Sequence, residues 1–424
     1  MGNVVKLDTP ARERSRSTAP GRKPRGRARQ SKTALVLGGG GFTGAVYEIG
    51  ALRALDLLSV NRSVNQFDVY VGTSAGALVA ALTANGVTPE QMMRVVNNQV
   101  PTPFRDINLD MLLRPNYREF VSKGIQLPLH LMGVIRTLAR NLGTFSTVDL
   151  AIALADALPS GLYSGSGVEE YVRTVLSDPD RSDDFRLLDS ELYLAATDLD
   201  TCERIVLGAE GWDDVPISQA VRASAALPMV YQPVEVRGRE LVDGGIVSTT
   251  NLDIAVEAGA KFIVVVNPLV PYVNDFGKEI PTLLGTKVRR VSDMGFPKIA
   301  YQTFKLLAYQ RLHEMARQWQ ERYPGVDIVL IEPESDDEMM FQTNILNYAS
   351  RLDVARHGFQ SVTVKLASDY EDLREVAQRH GIEISATRVR KVIRHFEAEK
   401  EKSGAWRRIL EQTTGALLRQ SAAD

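Results

Sequence analysis

Apolar positions along this chain follow two rhythms. Short runs of β-branched and aliphatic residues occur at Thr33–Leu37, 67–71, 192–196, Arg204–Leu207, Val234–Val236, Phe262–Val266 and Asp327–Ile331, and they predict buried strands. Between most of them the spacing turns helical. Val46, Ile49, Leu52, Leu55 and Leu58 recur every three residues, 77–84 is an alanine-rich helical stretch, and Tyr301, Phe304, Ala308, Leu312, Met315 and Trp319 make a stripe within 298–320. Such stripes predict helix faces turned to a core rather than to lipid. Strands alternating with helices predict an α/β fold with a mainly parallel sheet covered on both faces. No run approaches the roughly 18–20 apolar residues of a membrane-spanning helix.

The rhythm divides the chain in three. Residues 1–32 hold ten Lys/Arg against two acids, and residues 11–32 contain no apolar side chain larger than alanine. Such a segment cannot bury enough surface to offset its ordering entropy, so 1–32 is expected to be a basic disordered arm. It lacks the apolar stretch of a signal peptide, and Lys6 breaks the myristoylation pattern. A cytoplasmic protein is expected, with the arm either a solvated tail or a peripheral contact with an anionic membrane, while its charge alone would equally suit contact with nucleic acid or protein. Residues 33–362 form the main domain. Residues 363–424 form a charged helical C-terminal extension with Val392, Phe396, Trp406, Ile409 and Leu410 as its apolar points. Residues 103–170 read as helices and loops able to cover a site.

Composition narrows the chemistry. With 424 residues, 44% hydrophobic and 24% charged, the chain is of ordinary globular make-up, and its net charge of −2 carries no nucleic-acid signature. The single cysteine, Cys202, excludes an internal disulfide and a cysteine-based metal site. Neither a metal nor another cofactor is expected, and the oligomeric state is left open.

Two glycine motifs stand where strands end. Gly39-Gly-Gly-Phe-Thr-Gly44 fits GxGxxG between a strand and a helix, the setting of a dinucleotide fingerprint. The acid that would hold a ribose belongs at the end of the second strand, yet the only nearby one, Asp68, lies at its start. The other use of such a loop is to aim backbone N–H groups and a helix N-terminus at an oxyanion, and that use is favoured. Gly72-Thr-Ser-Ala-Gly76 is GxSxG, directly after an apolar strand and before an alanine-rich helix. That is the context of a nucleophile elbow, with Ser74 exposed on a strained turn and Gly72 and Gly76 allowing strand and helix to approach.

A serine nucleophile needs a base, and none of the five histidines (His130, His313, His357, His380, His395) sits in a recognisable catalytic turn. A triad with His313 or His357 stays formally open. Asp243, in Leu241-Val-Asp-Gly-Gly245, is the better base, against the ordinary reading of Asp-Gly as a hairpin turn. A carboxylate of pKa near 3.9 is a weak base, so burial must raise it and the oxyanion donors must carry much of the work.

The ordered set Gly39–Gly44, Gly72–Gly76 and Asp243–Gly245 resembles the patatin-like phospholipase family. The stretches Ala196-Thr-Asp-Leu-Asp-Thr201 and Val221-Arg-Ala-Ser-Ala-Ala-Leu-Pro228 are similar to family segments before the catalytic acid. The resemblance is strongest over 33–270. It implies a three-layer α/β/α sandwich and a Ser74–Asp243 dyad. It further implies an oxyanion hole from the N–H groups of Gly39, Gly40 and Gly41, with Gly44 in the loop and Gly244 and Gly245 completing the acid motif. An acyl lipid would be cleaved through an acyl-enzyme, without metal. Thr43 stands where the family usually has Arg or Lys, which bears on headgroup preference. A transacylase or thioesterase using the same dyad, and a non-catalytic lipid-binding protein, are the competing readings.

Overall fold

The computed structural model describes residues 4–6, 31–97, 113–123, 158–275, 277, 280–281, 287–342 and 349–394. Its centre is a nine-stranded sheet. Five parallel strands hold the middle: β2 (Thr33–Leu37), β3 (Val69–Thr73), β5 (Glu191–Asp198), β10 (Phe262–Val266) and β13 (Asp327–Ile331), in the spatial order β13-β10-β2-β3-β5. β1 (Val4–Lys6) adds a parallel edge beside β13. On the other side the sheet turns antiparallel through β6 (Arg204–Leu207), β8 (Val234–Val236) and β9 (Arg239–Asp243). Two small pairs lie outside it, β4 (Gly161–Tyr163) with β7 (Met229–Tyr231), and β11 (Ile280–Pro281) with β12 (Lys287–Val288).

Alternation along the strands splits the core in two, because successive side chains leave a strand on opposite faces. Leu35, Leu37, Tyr70, Leu194, Val264 and Ile331 pack on one face with α1 (Gly41–Leu58), α2 (Ala75–Ala84) and α3 (Pro89–Val96). The same core takes in α4 (Ser166–Leu176) and α5 (Ile217–Ser224). Ala34, Val36, Val71, Ala195, Ile263 and Leu330 face the other way, onto α6 (Leu252–Glu257), α7 (Phe296–Arg317) and α8 (Trp319–Arg322). This is the expected α/β/α sandwich with a mainly parallel sheet. The stripe turns inward as its spacing requires: Ala308 and Leu312 of α7 and Trp319 of α8 are buried.

Three boundaries differ from the sequence reading. Val4–Lys6, inside the arm assigned to disorder, pairs with the sheet edge, since Val4 and Val5 are the arm's only adjacent β-branched residues; residues 7–30 lie outside the described residues. β3 runs Val69–Thr73 rather than 67–71, because Thr73 still pairs with Ala195 while the Asp68 amide is taken by Thr33. The seam drawn at 362/363 falls inside α10 (Arg351–Ser368), which follows the short α9 (Glu338–Gln342) and lies along α1. Helix α11 (Tyr370–Arg379) and its neighbours also join the domain, through a Ser59–Ile384 bridge and a His380–Asp327 hydrogen bond of 2.8 Å. Phe396, Trp406, Ile409 and Leu410, and most of 103–170, lie outside the described residues.

The α1–α10 crossing is made backbone to backbone. A Cβ on Gly50 would stand 2.5 Å from the Ala355 carbonyl oxygen, and one on Gly358 2.7 Å from that of Tyr47. Gly50→Ala therefore forces the helices apart and should destabilise the fold by about 1–3 kcal/mol, as overpacking does. Chemical denaturation checks this, and an unchanged midpoint would show the crossing to be loose.

Candidate active site

Strand register sets the site. β3 runs parallel to β5 and ends with Thr73 opposite Ala195. β9 runs antiparallel to β5 and ends with Asp243 opposite Ala196. β6 pairs with residues 194–197 of β5 and so occupies the other edge. β3 and β9 therefore meet head-on along one edge of β5, and the residue after Thr73 faces the last residue of β9. Ser74 Oγ donates to Asp243 Oδ2 at 2.5 Å.

Each partner is held in an unusual state. Ser74 has φ 57° and ψ −124°, a conformation rare for a residue with a side chain, and α2 starts at the next residue. The turn stays tight because its glycines leave room: a Cβ on Gly76 would lie 2.5 Å from the carbonyl oxygens of Leu37 and Gly38, and one on Gly72 2.6 Å from Ala77 Cα. This is the strained strand–turn–helix expected of an elbow. Asp243 is 2% exposed, accepts the Gly245 amide on Oδ1 at 2.7 Å, and caps a short 3-10 turn, Gly244–Ile246. It is not the apex of a hairpin. Gly244 lies flat over β5, where a Cβ would be 2.3 Å from the Ala195 carbonyl oxygen. Loss of hydration pushes the Asp243 carboxyl up to about 6, against the opposing pull of hydrogen bonds from Ser74 and Gly245.

The glycine loop stands beside the elbow; a Cβ on Gly39 would be 3.2 Å from Ser74 Cβ. Its amides are not equivalent. Gly38 and Gly39 donate to the carbonyls of Val266 and Thr249 at 3.0 and 2.9 Å. Among the described residues the amides of Gly40 and Gly41 meet no acceptor. Gly41 opens α1, so the positive end of that helix adds to them. The Gly39 amide, named among the expected oxyanion donors, is thus taken up in fastening the loop to Thr249. Gly40 and Gly44 pack on Pro268, whose ring fills the place of a side chain at either position. Thr43 is buried at the start of α1.

The alternatives find no support in the geometry. Asp68 accepts from the amide and hydroxyl of Thr33 at 2.7 and 2.8 Å, at the start of β2 and five strand residues, roughly 16 Å, from the glycine loop. His313, His357 and His380 bond Glu332, Asp337 and Asp327, and Ser74 is held by Asp243. His130 and His395 lie outside the described residues. Among the described residues no group of three or more His, Cys, Asp or Glu is placed to hold a metal ion.

Two supports were not singled out from sequence. Ser224, at the end of α5, accepts the Ser74 amide at 3.0 Å and donates to the Ala195 carbonyl at 2.6 Å, tying elbow to β5. Asn251 donates to Thr73 Oγ1 at 3.0 Å from a left-handed backbone position. Both are buried small polar residues, and nothing in the local sequence sets them apart from their neighbours.

The family assignment rests on residues 35–256, more than half of the chain, which match the family described as patatin-like phospholipase. The chain belongs to that family. Among its relatives, a probable lipid hydrolase, 463L, of invertebrate iridescent virus 6 is 23% identical over 229 residues, 53% of this chain and 63% of that protein. The uncharacterized protein YqhO of Bacillus subtilis (strain 168) is 25% identical over 227 residues, 50% of this chain and 63% of that protein. The chain thus spans under two thirds of the length of either. Among solved structures, VipD from Legionella pneumophila has a TM-score of 0.33 at 14% identity, covering 80% of this chain and 67% of its own. The type III effector protein ExoU has a TM-score of 0.27 at 17% identity, covering 85% and 62%. Likeness at that level adds nothing to the fold described above.

Ser224→Ala removes one acceptor and one donor from a buried position and leaves the Ser74 amide unpaired. It should cost about 1–3 kcal/mol of stability and lower ester turnover with little change in KM, measured by denaturation and steady-state kinetics. Asp243→Asn should do the reverse for stability. A carboxyl raised from 3.8 to about 6 binds its proton more tightly folded than unfolded. Its ionisation therefore destabilises the fold as pH rises through 3.8 to 6, and above pH 6 the full cost, on the order of 2–3 kcal/mol, is present. The amide escapes it, so Asp243→Asn should melt higher than wild type at pH 8 and lose that advantage at pH 4.

Proposed function

We propose that this chain is a serine acyl-hydrolase that cleaves ester bonds of phospholipids or other acyl lipids through an acyl-enzyme on Ser74. The observation that carries the reading is the 2.5 Å contact between Ser74 Oγ, on its strained turn, and the buried carboxylate of Asp243. The lipid class is supported by the family and by the name of the viral relative.

In the first half-reaction the Ser74 oxygen bonds to the ester carbonyl carbon while Asp243 Oδ2 takes the hydroxyl proton. The carbonyl π electrons move to oxygen, and the amides of Gly40 and Gly41, with the N-terminus of α1, supply donors for the resulting oxyanion. Collapse expels the alkoxide, which recovers the proton from Asp243, and the acyl group stays on Ser74. Water repeats the sequence, giving up its proton to Asp243 and releasing the carboxylic acid with Ser74 restored. Raising Asp243 to about 6 brings the base closer to the proton it must accept and still leaves it ionised at neutral pH.

Turnover of a short-chain p-nitrophenyl ester and of phospholipid vesicles tests this. With the wild type, kcat/KM should fall tenfold per pH unit below about pH 6, as the base is protonated. Ser74→Ala should abolish hydrolysis, and Asp243→Asn should lower it by about 10²–10⁴-fold. Hydrolysis retained by folded Ser74→Ala would contradict the assignment.

A further inference from the structure

The inner side of α7 is accounted for by the core, and its outer side is not. Phe296, Ile299, Ala300, Thr303, Leu306 and Leu307 follow helical spacing along one exposed face. That face is roughly 16 Å long. Phe296 is 82% and Leu307 58% exposed. Over its first three turns the helix therefore carries an apolar stripe outward as well as one toward the core, and an outward stripe of this kind marks a surface made for contact. After Leu307 the same face turns polar, with Gln310, Arg311, Glu314 and Arg317.

The cations of the apolar half point away from this face. Lys305 is only 1% exposed, with Nζ over the Tyr301 ring at 4.7 Å, and Lys298 donates inward to the Phe341 carbonyl at 2.8 Å. Among the described residues of this face from Phe296 to Leu307, none is charged. At its N-terminal end stand exposed Lys287, Arg289 and Arg290, with Asp293 the one acid among 287–295. An uncharged apolar face with a basic collar is the chemistry of a helix lying in the headgroup region of an anionic bilayer.

The stripe also adjoins the dyad. Phe304, on the same helix, reaches to within 3.8 Å of where a Cβ on Gly245 would lie. Arg311 donates to the carbonyls of Ile246 and Val247, fastening α7 to the turn that carries Asp243. Ile246 is exposed and extends the apolar surface toward that turn.

We propose that the outer face of α7, from Phe296 to Leu307 with Arg289 and Arg290 at its end, docks the protein on an anionic lipid surface beside the Ser74–Asp243 site. This rests on the acyl-lipid reading of that site and adds where the substrate aggregate is met. Docking there sets the catalytic turn at the margin of the bilayer, so an acyl chain can pass to Ser74 without crossing water.

The test uses the full chain and vesicles of phosphatidylglycerol and phosphatidylcholine, 1:3, at 150 mM salt. Phe296→Ser/Leu307→Ser changes two exposed side chains outside the catalytic machinery. It should weaken vesicle binding at least tenfold and slow vesicle hydrolysis in parallel, while turnover of monomeric p-nitrophenyl butyrate stays at the wild-type rate. Arg289→Glu/Arg290→Glu should weaken binding severalfold and flatten its salt dependence. In Ser74→Ala, which cannot turn over, binding should equal wild type. Vesicle binding unchanged by the Phe296/Leu307 pair, or absent in the wild type, would overturn the proposal. So would a wild-type dimer that the same pair dissociates, since the stripe would then be covered by a second copy. Failure of the acyl-hydrolase reading itself would appear separately, as absent turnover of the monomeric ester by the wild type.

Discussion

The site depends on one edge of one strand. β5 is long enough for its first half to pair with β3 and its second half, on the same edge, with β9 running the opposite way. Two strands that collide end to end must each turn off sharply. β3 turns into α2 through Ser74, and β9 turns into the Gly244–Ile246 coil through Asp243. The collision point is thus where a hydroxyl and a carboxylate face each other. The neighbouring elements reinforce it: Ser224 bonds both Ser74 and Ala195, Thr197 donates to the Asp243 carbonyl, and Gly244 sits on Ala195 where any side chain would clash.

That arrangement is costly to the fold. A non-glycine residue at φ 57° and a carboxylate buried to 2% exposure both oppose stability, the first by about 1–3 kcal/mol. The two faces of the sandwich offset this. α1 and α10 meet through Gly50 and Gly358 at backbone contact, and the strands beneath them are buried on both sides. The same burial that destabilises ionised Asp243 raises its affinity for a proton, which in the proposed reaction makes it a better base than an exposed aspartate. In the proposed reaction, site chemistry and fold stability are opposed at this residue, and the large sheet around it bears the cost.

Much of this was legible in the chain. The strands of a sheet buried on both faces must be apolar runs, so Thr33–Leu37, Phe262–Val266 and Asp327–Ile331 were readable to the residue. Glycines that stand where a Cβ would meet backbone, at Gly72, Gly76 and Gly244, announced the turns because no other residue fits. What could not be read was set by distant partners. The end of β3 depends on Ala195, more than a hundred residues on. That the Gly39 amide is already occupied depends on the Thr249 carbonyl. Ser224 and Asn251 act through single hydrogen bonds to the elbow, and no local pattern distinguishes them from other small polar residues. The charged stretch beyond residue 363 suggests a new segment, whereas the buried side of α10, with Val354, Ala355, Val362 and Leu366, continues across that point without a break.

The central claim is that Ser74 is activated by Asp243 alone. The most direct measurement is the rate at which a fluorophosphonate forms a covalent adduct, followed by intact mass across pH 4 to 9. The account predicts one adduct per chain, absent in Ser74→Ala, forming at a rate that rises through about pH 6 and is greatly slowed in Asp243→Asn. An adduct that persists in Ser74→Ala, or one that forms as fast in Asp243→Asn as in wild type, would contradict it.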